Sequence, residues 1–529
     1  MSTSAPQPNF PERGSLNLPK IADDILASWE QDGTFQKSIE TRPADRPYVF
    51  FEGPPSANGK PGIHHVMARA IKDIFCRFHT LKGYRVERKA GWDTHGLPVE
   101  LGVEKELGIT KEDIGVKLTI EEYNEACKKA VMRYTDIWND LTRKMGYWVD
   151  MDAPYVTYEN KYIESVWWLL KQLDNKDLLY KGYTIQPYSP AAGTGLSSHE
   201  LNQPGAYRDV KDTTVVAQFK ALPECGARVL EHAGPEKAEA YGHLPVYFLA
   251  WTTTPWTLPS NTALTVGPDI TYVLVVTKNR YTDEPGLVVL AEDLMGKHFG
   301  GKKAPEHEVI ARISGAELCG ARYEQLLDWA EPMEGVSEAF RIIPGDFVTT
   351  EDGTGIVHTA PTFGADDARV ASAAGVPPML IDDGTGQGVP LVDLQGRIRD
   401  GVGPLAGRYV KEEYYDKGEA PERSVDVEIA IDLKGKGLAF LVEKYEHNYP
   451  HCWRTDKPVL YYPLDSWFIR ATAAKERMQE LNKTIRWKPA STGSGRFGKW
   501  LENLNDWNLS RSRFWGIPIP IWSTEDGTE

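Results

Sequence analysis

Two histidines at a predicted helix start are the first residues whose type and position suggest chemistry. A loop rich in glycine and proline occupies residues 52–62, and His64 and His65 follow it directly. Apolar residues then recur every three or four positions, which predicts a helix over about residues 64–82. A helix start offers unpaired N–H groups and a positive dipole end, and imidazoles there can donate hydrogen bonds to phosphate oxygens. The pattern therefore indicates either a phosphate site or a turn ahead of a core helix.

The segments around these histidines predict an α/β nucleotide-binding unit. Residues 18–35 have the periodicity of an amphipathic helix, and the apolar residues 48–51 predict a strand before the glycine-rich loop. A strand, a glycine loop and a helix in this order begin many nucleotide-binding folds. A long helix is predicted over residues 119–145, started by a capping box of Thr119 and Glu122, and another near residues 160–173.

From about residue 205 the chain changes to short β-branched runs separated by turns. The runs lie at residues 213–219, 246–251, 272–276, 286–290, 309–313 and 347–357. They predict an independent β-rich domain with a barrel-like fold, and helical and α/β character returns near residue 445. We therefore predict an α/β protein in which a Rossmann-like nucleotide-binding domain is interrupted by a β-barrel-like insertion. The predicted divisions are residues 1–204, 205–445 and 446–529.

Composition and charge limit the functions open to the chain. Its 529 residues contain no apolar run of membrane-spanning length and no signal-peptide pattern, so a cytoplasmic protein without a membrane partner is expected. The net charge of −15 excludes indiscriminate nucleic-acid binding, although a local basic patch can still bind a specific RNA. The five cysteines lie far apart without a C-x-x-C pair, which predicts reduced thiols and no structural zinc.

Several segments resemble class I aminoacyl-tRNA synthetases, and in their details the isoleucyl-tRNA synthetases. Residues 52–65, EGPPSANGKPGIHH, are similar to the family's G-P-P-x-A-N-G loop and H-x-G-H motif. Residues 91–100, GWDTHGLPVE, match its G-W-D-x-H-G-L-P-x-E block nearly residue for residue. Residues 507–518 resemble its D-W-x-x-S-R-x-R-x-W-G-x-P segment, and residues 450–454 resemble the point where its chain re-enters the catalytic domain after an insertion.

The resemblance implies an ATP-dependent activation site for isoleucine. The residues implied for binding ATP, with its Mg²⁺, are Gly53, Gly62, His64 and His65. Gly62, His64 and His65 are also the catalytic candidates. The residues implied for binding the amino acid are Pro54, Asp93 and Trp515. In this interpretation Asp93 holds the α-amino group, because a buried carboxylate is the expected partner of an ammonium ion; an N-cap in a loop is the alternative role.

The β-rich insertion resembles the family's editing domain in two segments, residues 251–261 (WTTTPWTLPSN) and residues 353–367. The residues implied for editing are Thr252, Thr253, Thr254, Asn261, His358 and Asp367. Asp367 is implied to anchor the amino group of a misattached amino acid, while hydroxyl groups position a water and the terminal ribose. Threonine is also a common strand residue, so the threonine-rich run alone equally suits an ordinary strand.

The nucleotide motif departs from the family pattern. Aligned on Pro61 and His65, the chain has Gly62-Ile63-His64-His65 where the family has H-x-G-H, so the first histidine and the glycine have exchanged places. The family's glycine lets the adenine ring lie against the helix backbone, and His64 puts an imidazole there instead. We therefore hypothesise weaker binding of mupirocin, an inhibitor of this family that lies along that motif.

The resemblance also sets expectations for the extent of the chain and its partners. Family members carry a K-M-S-K-S loop and an anticodon-binding domain beyond the matched segments, so the chain is expected to be an amino-terminal fragment that activates isoleucine poorly by itself. The expected partners of this monomer are isoleucine, ATP and tRNA(Ile). The alternatives are an RNA-binding or trans-editing protein with an inactive activation site and, less favoured by the motifs, a valyl-tRNA synthetase.

Overall fold

The computed structural model describes residues 14–300, 304–522 and 524, and the chain divides into two compact units. Unit 1 comprises residues 1–176 and 514–529, and unit 2 comprises residues 177–513, as far as they are described. Both ends of the predicted insertion lie inside unit 2, so the three-part domain division stays a prediction. Among the described residues, none of the helices combines the length and apolar character needed to cross a membrane.

Unit 1 is mainly helical. Its elements are α1 (Leu18–Asp32), α2 (Thr34–Glu40), α3 (Ile63–Leu81), β1 (Lys89–Trp92), α4 (Leu97–Leu107), a 3-10 turn (Lys111–Asp113), α5 (Ile120–Val131), α6 (Thr135–Lys144), β2 (Asp150–Val156) and α7 (Asn160–Asp174). The helices predicted near residues 64–82 and 160–173 are confirmed by α3 and α7. The helix predicted over residues 18–35 ends early, because Gly33 takes a left-handed conformation (φ +60°) and separates α1 from α2.

The capping box predicted at Thr119 is confirmed. The Thr119 hydroxyl accepts a hydrogen bond from the Glu122 amide at 3.2 Å, and the Glu122 carboxylate accepts one from the Thr119 amide at 2.8 Å. The single long helix predicted beyond it is wrong, since α5 ends at Val131 and α6 begins at Thr135, with three residues between them. At the break, the Tyr134 amide donates to the Ala57 carbonyl at 3.2 Å and so fastens the glycine-rich loop.

Two parallel pairings lie in unit 1. Strands β1 and β2 are parallel, and Pro47 pairs in parallel with Arg85, so α3 connects two parallel segments as the Rossmann-like prediction requires. The strand predicted at residues 48–51 is wrong. Val49 is 67% exposed and Phe51 90% exposed. Among the described residues, the only strand-like backbone hydrogen bonds of this stretch are those around Pro47, between Arg46, Tyr48 and Arg85. An apolar run becomes a strand only where a neighbour accepts its hydrogen bonds.

Unit 2 is rich in strands. Its strands are β3 (Leu179–Ser189), β4 (Thr194–Gly195), β5 (Tyr207–Lys220), β6 (Val246–Thr252), β7 (Ala263–Val266), β8 (Thr271–Lys278), β9 (Pro285–Ala291), β10 (Glu308–Ser314), β11 (Arg341–Pro344), β12 (Ile356–Thr359), β13 (Leu380–Asp382), β14 (Gly388–Pro390), β15 (Ala439–Pro450), β16 (Leu460–Ile469) and β17 (Trp507–Asn508). Its helices are α8 (Ser198–Leu201), α9 (Pro223–Glu231), α10 (Pro235–Tyr241), α11 (Met295–Phe299), α12 (Gly315–Leu318), α13 (Ala365–Ala374), α14 (Val425–Gly435), α15 (Lys475–Asn482), α16 (Ser491–Ser494) and α17 (Arg496–Glu502). Short 3-10 helices lie at Pro255–Ser260, Glu292–Leu294, Val336–Glu338, Glu412–Tyr414 and Ala471–Ala474.

A curled sheet of nine strands dominates unit 2, which confirms the mixed α/β prediction. Its main order is β10-β8-β9-β6-β12-β7-β11, and β5 joins β6 and β15 on a side branch. The long strands β5 and β15 run antiparallel, and Tyr207 pairs with Pro450, so the chain enters and leaves this sheet at one place. A second sheet has the order β17-β16-β3-β4.

Strand β6 splits the sheet. Its residues Val246 to Phe248 pair with β9, whereas Trp251 pairs with β12, and both partners are parallel to β6. At the end of β9, the Ala291 amide donates to the Thr354 carbonyl, just before β12, at 2.8 Å. The chain leaves β6 at Thr252 and continues into the threonine-rich segment.

Both faces of the nine-stranded sheet are covered. Alternate residues of β8 belong to two different hydrophobic clusters, Leu274 to one and Val273 to the other, which explains its continuous apolar run. The first five strands predicted in this region are confirmed. The sixth, at residues 347–357, is wrong except at its end: Gly353 and Gly355 have φ near +75°, a conformation that interrupts a strand, and β12 begins only at Ile356.

Candidate functional site

A cavity of about 370 Å³ lies in unit 2 where the sheet splits. It is lined by Trp251, Thr252, Thr253, Thr254, Thr257, Phe347, Thr349, Asp352, residues 353–358, Ala360, Phe363 and Asp367. One wall is therefore the threonine-rich segment and the other is the glycine-containing turn with the start of α13. The two motifs singled out in the sequence, about a hundred residues apart, meet in one cleft.

The threonine wall is ordered by its own hydrogen bonds. The Thr252 hydroxyl accepts from the Thr254 amide at 3.1 Å and lies 3.4 Å from the Thr254 hydroxyl. The Thr257 hydroxyl donates to the Thr254 carbonyl at 2.8 Å, inside the first turn of the 3-10 helix Pro255–Ser260. These bonds leave the hydroxyl groups of Thr252 and Thr254 at the cavity wall, within reach of a bound polar molecule.

His358 is locked as a neutral imidazole. Asn261 donates through its amide nitrogen to His358 Nδ1 at 2.9 Å, so the ring proton lies on Nε2. His358 Nε2 then donates to the Thr257 hydroxyl at 3.0 Å, and that hydroxyl donates its own hydrogen bond to the Thr254 carbonyl. Burial lowers the pKa of His358 to about 3. A histidine held in this way positions the threonine wall and cannot act as a general base near neutral pH.

Asn261 supports the site from outside the cavity. Its amide nitrogen also donates to the Ala263 carbonyl at 2.7 Å, and its carbonyl oxygen accepts from the Tyr323 hydroxyl at 2.7 Å. Every polar atom of this buried side chain is thus used. Asn261 was predicted as an editing residue. In the structure it lies behind His358 and supports that ring.

Asp367 is the carboxylate of the cavity. It lies in the first turn of α13, and its Oδ2 accepts a hydrogen bond from the Ala360 amide at 2.9 Å. Burial raises the pKa of Asp367 to about 6, against the opposing effect of that amide, and nearby Asp366 raises it further. In contrast, Asp366 is exposed and pairs with Arg369 at 3.3 Å. Asp367 forms no ion pair with any described residue, and a desolvated carboxylate of this kind is suited to binding a ligand's ammonium group.

Asp426 holds the threonine wall from behind, and sequence reasoning missed it. Its Oδ1 accepts a hydrogen bond from the Trp256 amide at 2.8 Å, at the start of the 3-10 helix. Burial raises the pKa of Asp426 to about 7, and Lys411 acts in the opposite direction. Asp426 lies in the first turn of α14, two residues after the N-cap Ser424. An acidic residue is common at that position of a helix, so the sequence there does not indicate the contact with Trp256.

In unit 1, Gly62 and His65 form the N-terminal cap of α3. The Gly62 amide donates to His65 Nδ1 at 2.9 Å, which leaves the ring proton on Nε2. The His65 ring packs edge-on against Trp138 at 4.7 Å, and Arg69 lies 4.8 Å from the same indole. Burial, with His64 and Arg69, lowers the pKa of His65, so this neutral imidazole presents a single N–H donor at the helix start.

His64 turns back over Gly62. A Cβ atom at position 62 would lie 2.8 Å from His64 Cε1, so the imidazole of residue 64 fills the space beside residue 62. The two histidine rings are 3.8 Å apart. The two changes in the motif therefore fit each other, because Gly62 leaves the space that the His64 ring occupies.

Asp93 and Trp515 are joined through Thr94. The Asp93 amide donates to the Pro55 carbonyl at 2.9 Å, and the Trp515 indole N–H donates to the Thr94 carbonyl at 2.6 Å. The buried Glu100 carboxylate accepts from the Trp515 amide at 3.1 Å. These bonds hold the loop with Pro54 and the buried Trp515 indole to the backbone of residues 93–94. The expectation of a buried Asp93 carboxylate is wrong, because Asp93 is exposed. Sequence reasoning missed Glu100, although the motif contained it.

Comparisons with known proteins decide the family. Residues 24–529 match the family model described as tRNA synthetases class I (I, L, M and V). The chain belongs to this family. It is 60% identical over 549 residues to the isoleucine–tRNA ligase of Bacteroides fragilis, covering 98% of this chain and 47% of that relative. It is 44% identical over 514 residues to the isoleucine–tRNA ligase of Clostridium tetani, covering 97% and 44%.

This class I chain spans about half the length of the curated relatives it matches. Among solved structures, it is similar to the ternary complex of Agrobacterium radiobacter K84 agnB2 LeuRS with tRNA and LeuAMS, with 14% identity and a TM-score of 0.35. That likeness covers 96% of this chain and 51% of the other.

Proposed function

We propose that this chain is part of an isoleucine–tRNA ligase, which activates isoleucine with ATP, transfers it to tRNA(Ile) and hydrolyses valine attached in error. The names of relatives that are 60% identical over nearly the whole chain support this proposal. The observation that carries it is the single cavity in which the threonine wall faces Asp367. We further propose a monomeric, cytoplasmic enzyme without a membrane partner.

In the proposed activation step, the isoleucine carboxylate attacks the α-phosphate of ATP, and pyrophosphate leaves with its Mg²⁺. No protein nucleophile takes part. His65 Nε2–H and the imidazole of His64 stand at the helix start, where they can donate to the phosphate oxygens as charge develops. Gly53 lets ATP approach the backbone, because it has open space where a side chain would lie, whereas at Gly62 the His64 imidazole already occupies that space.

The proposed amino-acid pocket uses Asp93 for the ammonium group and Pro54 with Trp515 for the aliphatic side chain. The hydrogen bond from the indole to Thr94 fixes Trp515 relative to the Asp93 loop. Such a pocket accepts valine as well, because one methylene group contributes only about 1–3 kcal/mol to discrimination in a hydrophobic site. This is the general figure for such pockets, for which isoleucine against valine is the usual example.

Proofreading in the unit 2 cavity compensates for that weak discrimination. Asp367 binds the ammonium group of the misattached valine, and the hydroxyls of Thr252, Thr253 and Thr254 hold the terminal ribose and a water. The water attacks the ester carbonyl and the ester bond to the ribose breaks. One proton of the water ends on the ribose hydroxyl, the other is released to solvent, and valine leaves as its carboxylate. His358 stays neutral and holds the threonine wall.

Exchange of labelled pyrophosphate into ATP tests the activation half. A protein extended to the length of the relatives should exchange with isoleucine, more weakly with valine, and Asp93→Ala should abolish both. The 529-residue chain alone is expected to exchange poorly. The altered motif at residues 62–65 favours a second candidate, an RNA-binding or trans-editing protein with an inactive activation site. Absence of isoleucine-dependent exchange in the extended protein, with valyl-tRNA hydrolysis retained, would support that candidate; preference for valine would indicate a valyl enzyme.

A further inference from the structure

A short helical segment near the end of unit 2 carries a charge opposite to that of the whole chain. We call residues 471–504, which contain α15, α16 and α17, the basic hairpin. The basic hairpin includes seven Lys or Arg and three Glu, a net charge of +4 in a chain whose net charge is −15. A local reversal of sign on this scale is the pattern expected where a protein meets a polyanion.

Most cationic side chains of the basic hairpin are exposed and available to bind a partner. Five of them are exposed and form no ion pair among the described residues: Lys483, Arg486, Lys488, Arg496 and Lys499. By comparison, Arg477 on the same segment pairs with Glu480 at 2.9 Å. Unpaired exposed cations gain most from an external phosphate, since no internal contact has to be broken first.

Aromatic rings lie between these cations. The ring of Trp487 is 5.0 Å from that of Phe497, which is 5.6 Å from that of Trp500. Trp487 is fixed, because its indole N–H donates to the side-chain oxygen Oδ1 of Asn482 at 2.8 Å and its ring packs on the backbone of Gly493. The outermost ring, Trp500, is 56% exposed.

The spacing on α17 combines stacking with charge. Trp500 lies three residues after Phe497 and four after Arg496, so all three share one side of the helix, with Lys499 adjacent. Exposed aromatic faces flanked by cations are how proteins bind single-stranded nucleic acid, because every base can stack and every phosphate can pair. A purely apolar partner would leave five charges without counterions.

We propose that the basic hairpin binds an unpaired stretch of RNA, with one base stacked on Trp500 and the phosphates on Arg496 and Lys499. The inference rests on the proposed function for its identification of tRNA as the RNA. It assigns this chain a tRNA contact in unit 2 outside the editing cavity.

Fluorescence anisotropy with the 529-residue chain tests the surface, using labelled tRNA(Ile) and a single-stranded RNA of about twelve nucleotides. Trp500→Ala should weaken binding of both RNAs about tenfold, the effect of losing one base stack, and Trp500→Phe should restore most of it. The matched control is Trp168→Ala, since Trp168 is 63% exposed on α7 and belongs to no basic cluster.

A double charge reversal, Arg496→Glu with Lys499→Glu, should weaken binding further. It should also lower the slope of log K against log salt by about 1.4, because each phosphate contact on a single strand contributes about 0.7. The control is Lys129→Glu with Arg143→Glu, which changes the net charge by the same −4 at exposed residues of α5 and α6. Circular dichroism melting confirms that each variant is folded.

The outcomes separate this inference from the proposed function. Tight RNA binding by the wild type that neither Trp500→Ala nor the hairpin charge reversal weakens would overturn the inference alone. Equal losses from both charge reversals would show general electrostatic attraction, and would also overturn it. Failure of the wild-type chain to bind either RNA would overturn both the inference and the proposed tRNA partner.

Discussion

The charge of Asp367 provides a quantitative test of the editing cavity. The pKa of this carboxyl is raised from 3.8 to about 6 by burial, a shift of about two units. One unit corresponds to about 1.4 kcal/mol, so the ionised carboxylate lowers the free energy of unfolding by up to about 3 kcal/mol. The substitution Asp367→Asn keeps an oxygen for the Ala360 amide and removes the charge.

The sign of the pH dependence follows from the raised pKa. Because the folded protein holds the proton more tightly than the unfolded chain, the stabilisation by the protonated group is complete below about pH 4. It is lost as the pH rises through about 6. Asp367→Asn should therefore match the wild type near pH 4 and exceed its free energy of unfolding by about 1–3 kcal/mol at pH 8. Urea unfolding followed by circular dichroism at both pH values measures this difference.

The same variant should lose hydrolysis of valyl-tRNA, because an amide cannot neutralise the ammonium group. In the wild type, kcat/KM for this hydrolysis, corrected for the spontaneous reaction, should rise with pH through about 6 as Asp367 ionises. Asp366→Asn, at the exposed neighbouring carboxylate, is the control and should retain hydrolysis. A variant Asp367→Asn that is no more stable than the wild type at pH 8, or that still hydrolyses valyl-tRNA, refutes the reasoning.

Three further changes test other parts of the account. Exchanging Gly62 and His64 in a chain extended to the relatives' length should strengthen inhibition of isoleucine activation by mupirocin, and unchanged inhibition would defeat that hypothesis. Asn261→Ala removes the donor that fixes the tautomer of the buried cavity histidine, so valyl-tRNA hydrolysis should fall about tenfold, the value of one oriented hydrogen bond; an unaffected rate would show that the donor is dispensable. Thr119→Ala should lower the free energy of unfolding of unit 1 by about 1 kcal/mol in urea titrations, whereas Thr119→Ser should not, and equal stability of both would contradict the cap.

Local patterns in the sequence predicted local structure well. The capping box of Thr119 and Glu122 and the periodicity of α3 depend only on neighbouring residues, and both are present in the structure. One failure depends on a distant contact. The break between α5 and α6 accompanies a hydrogen bond from Tyr134 to the distant Ala57, and no pattern within residues 119–145 contains that information.

For the candidate site, motifs identified residues but not their positions. The threonine-rich segment and Asp367 line one cavity, whereas Asn261 lies behind His358 and acts through it. Asp426 could not be found from a motif, because its contact with Trp256 joins residues 170 positions apart. The strand predicted over residues 347–357 fails because the glycines in it adopt left-handed conformations that close the cavity wall instead.

Deacylation by the 529-residue chain tests the central claim most directly, because the whole editing cavity lies within the described part of unit 2. The chain should hydrolyse valyl-tRNA(Ile) much faster than isoleucyl-tRNA(Ile), and Asp367→Ala should remove the difference while the protein remains folded. Equal rates on the two substrates, or undiminished valyl-tRNA hydrolysis by Asp367→Ala, would contradict the assignment of this cleft to proofreading.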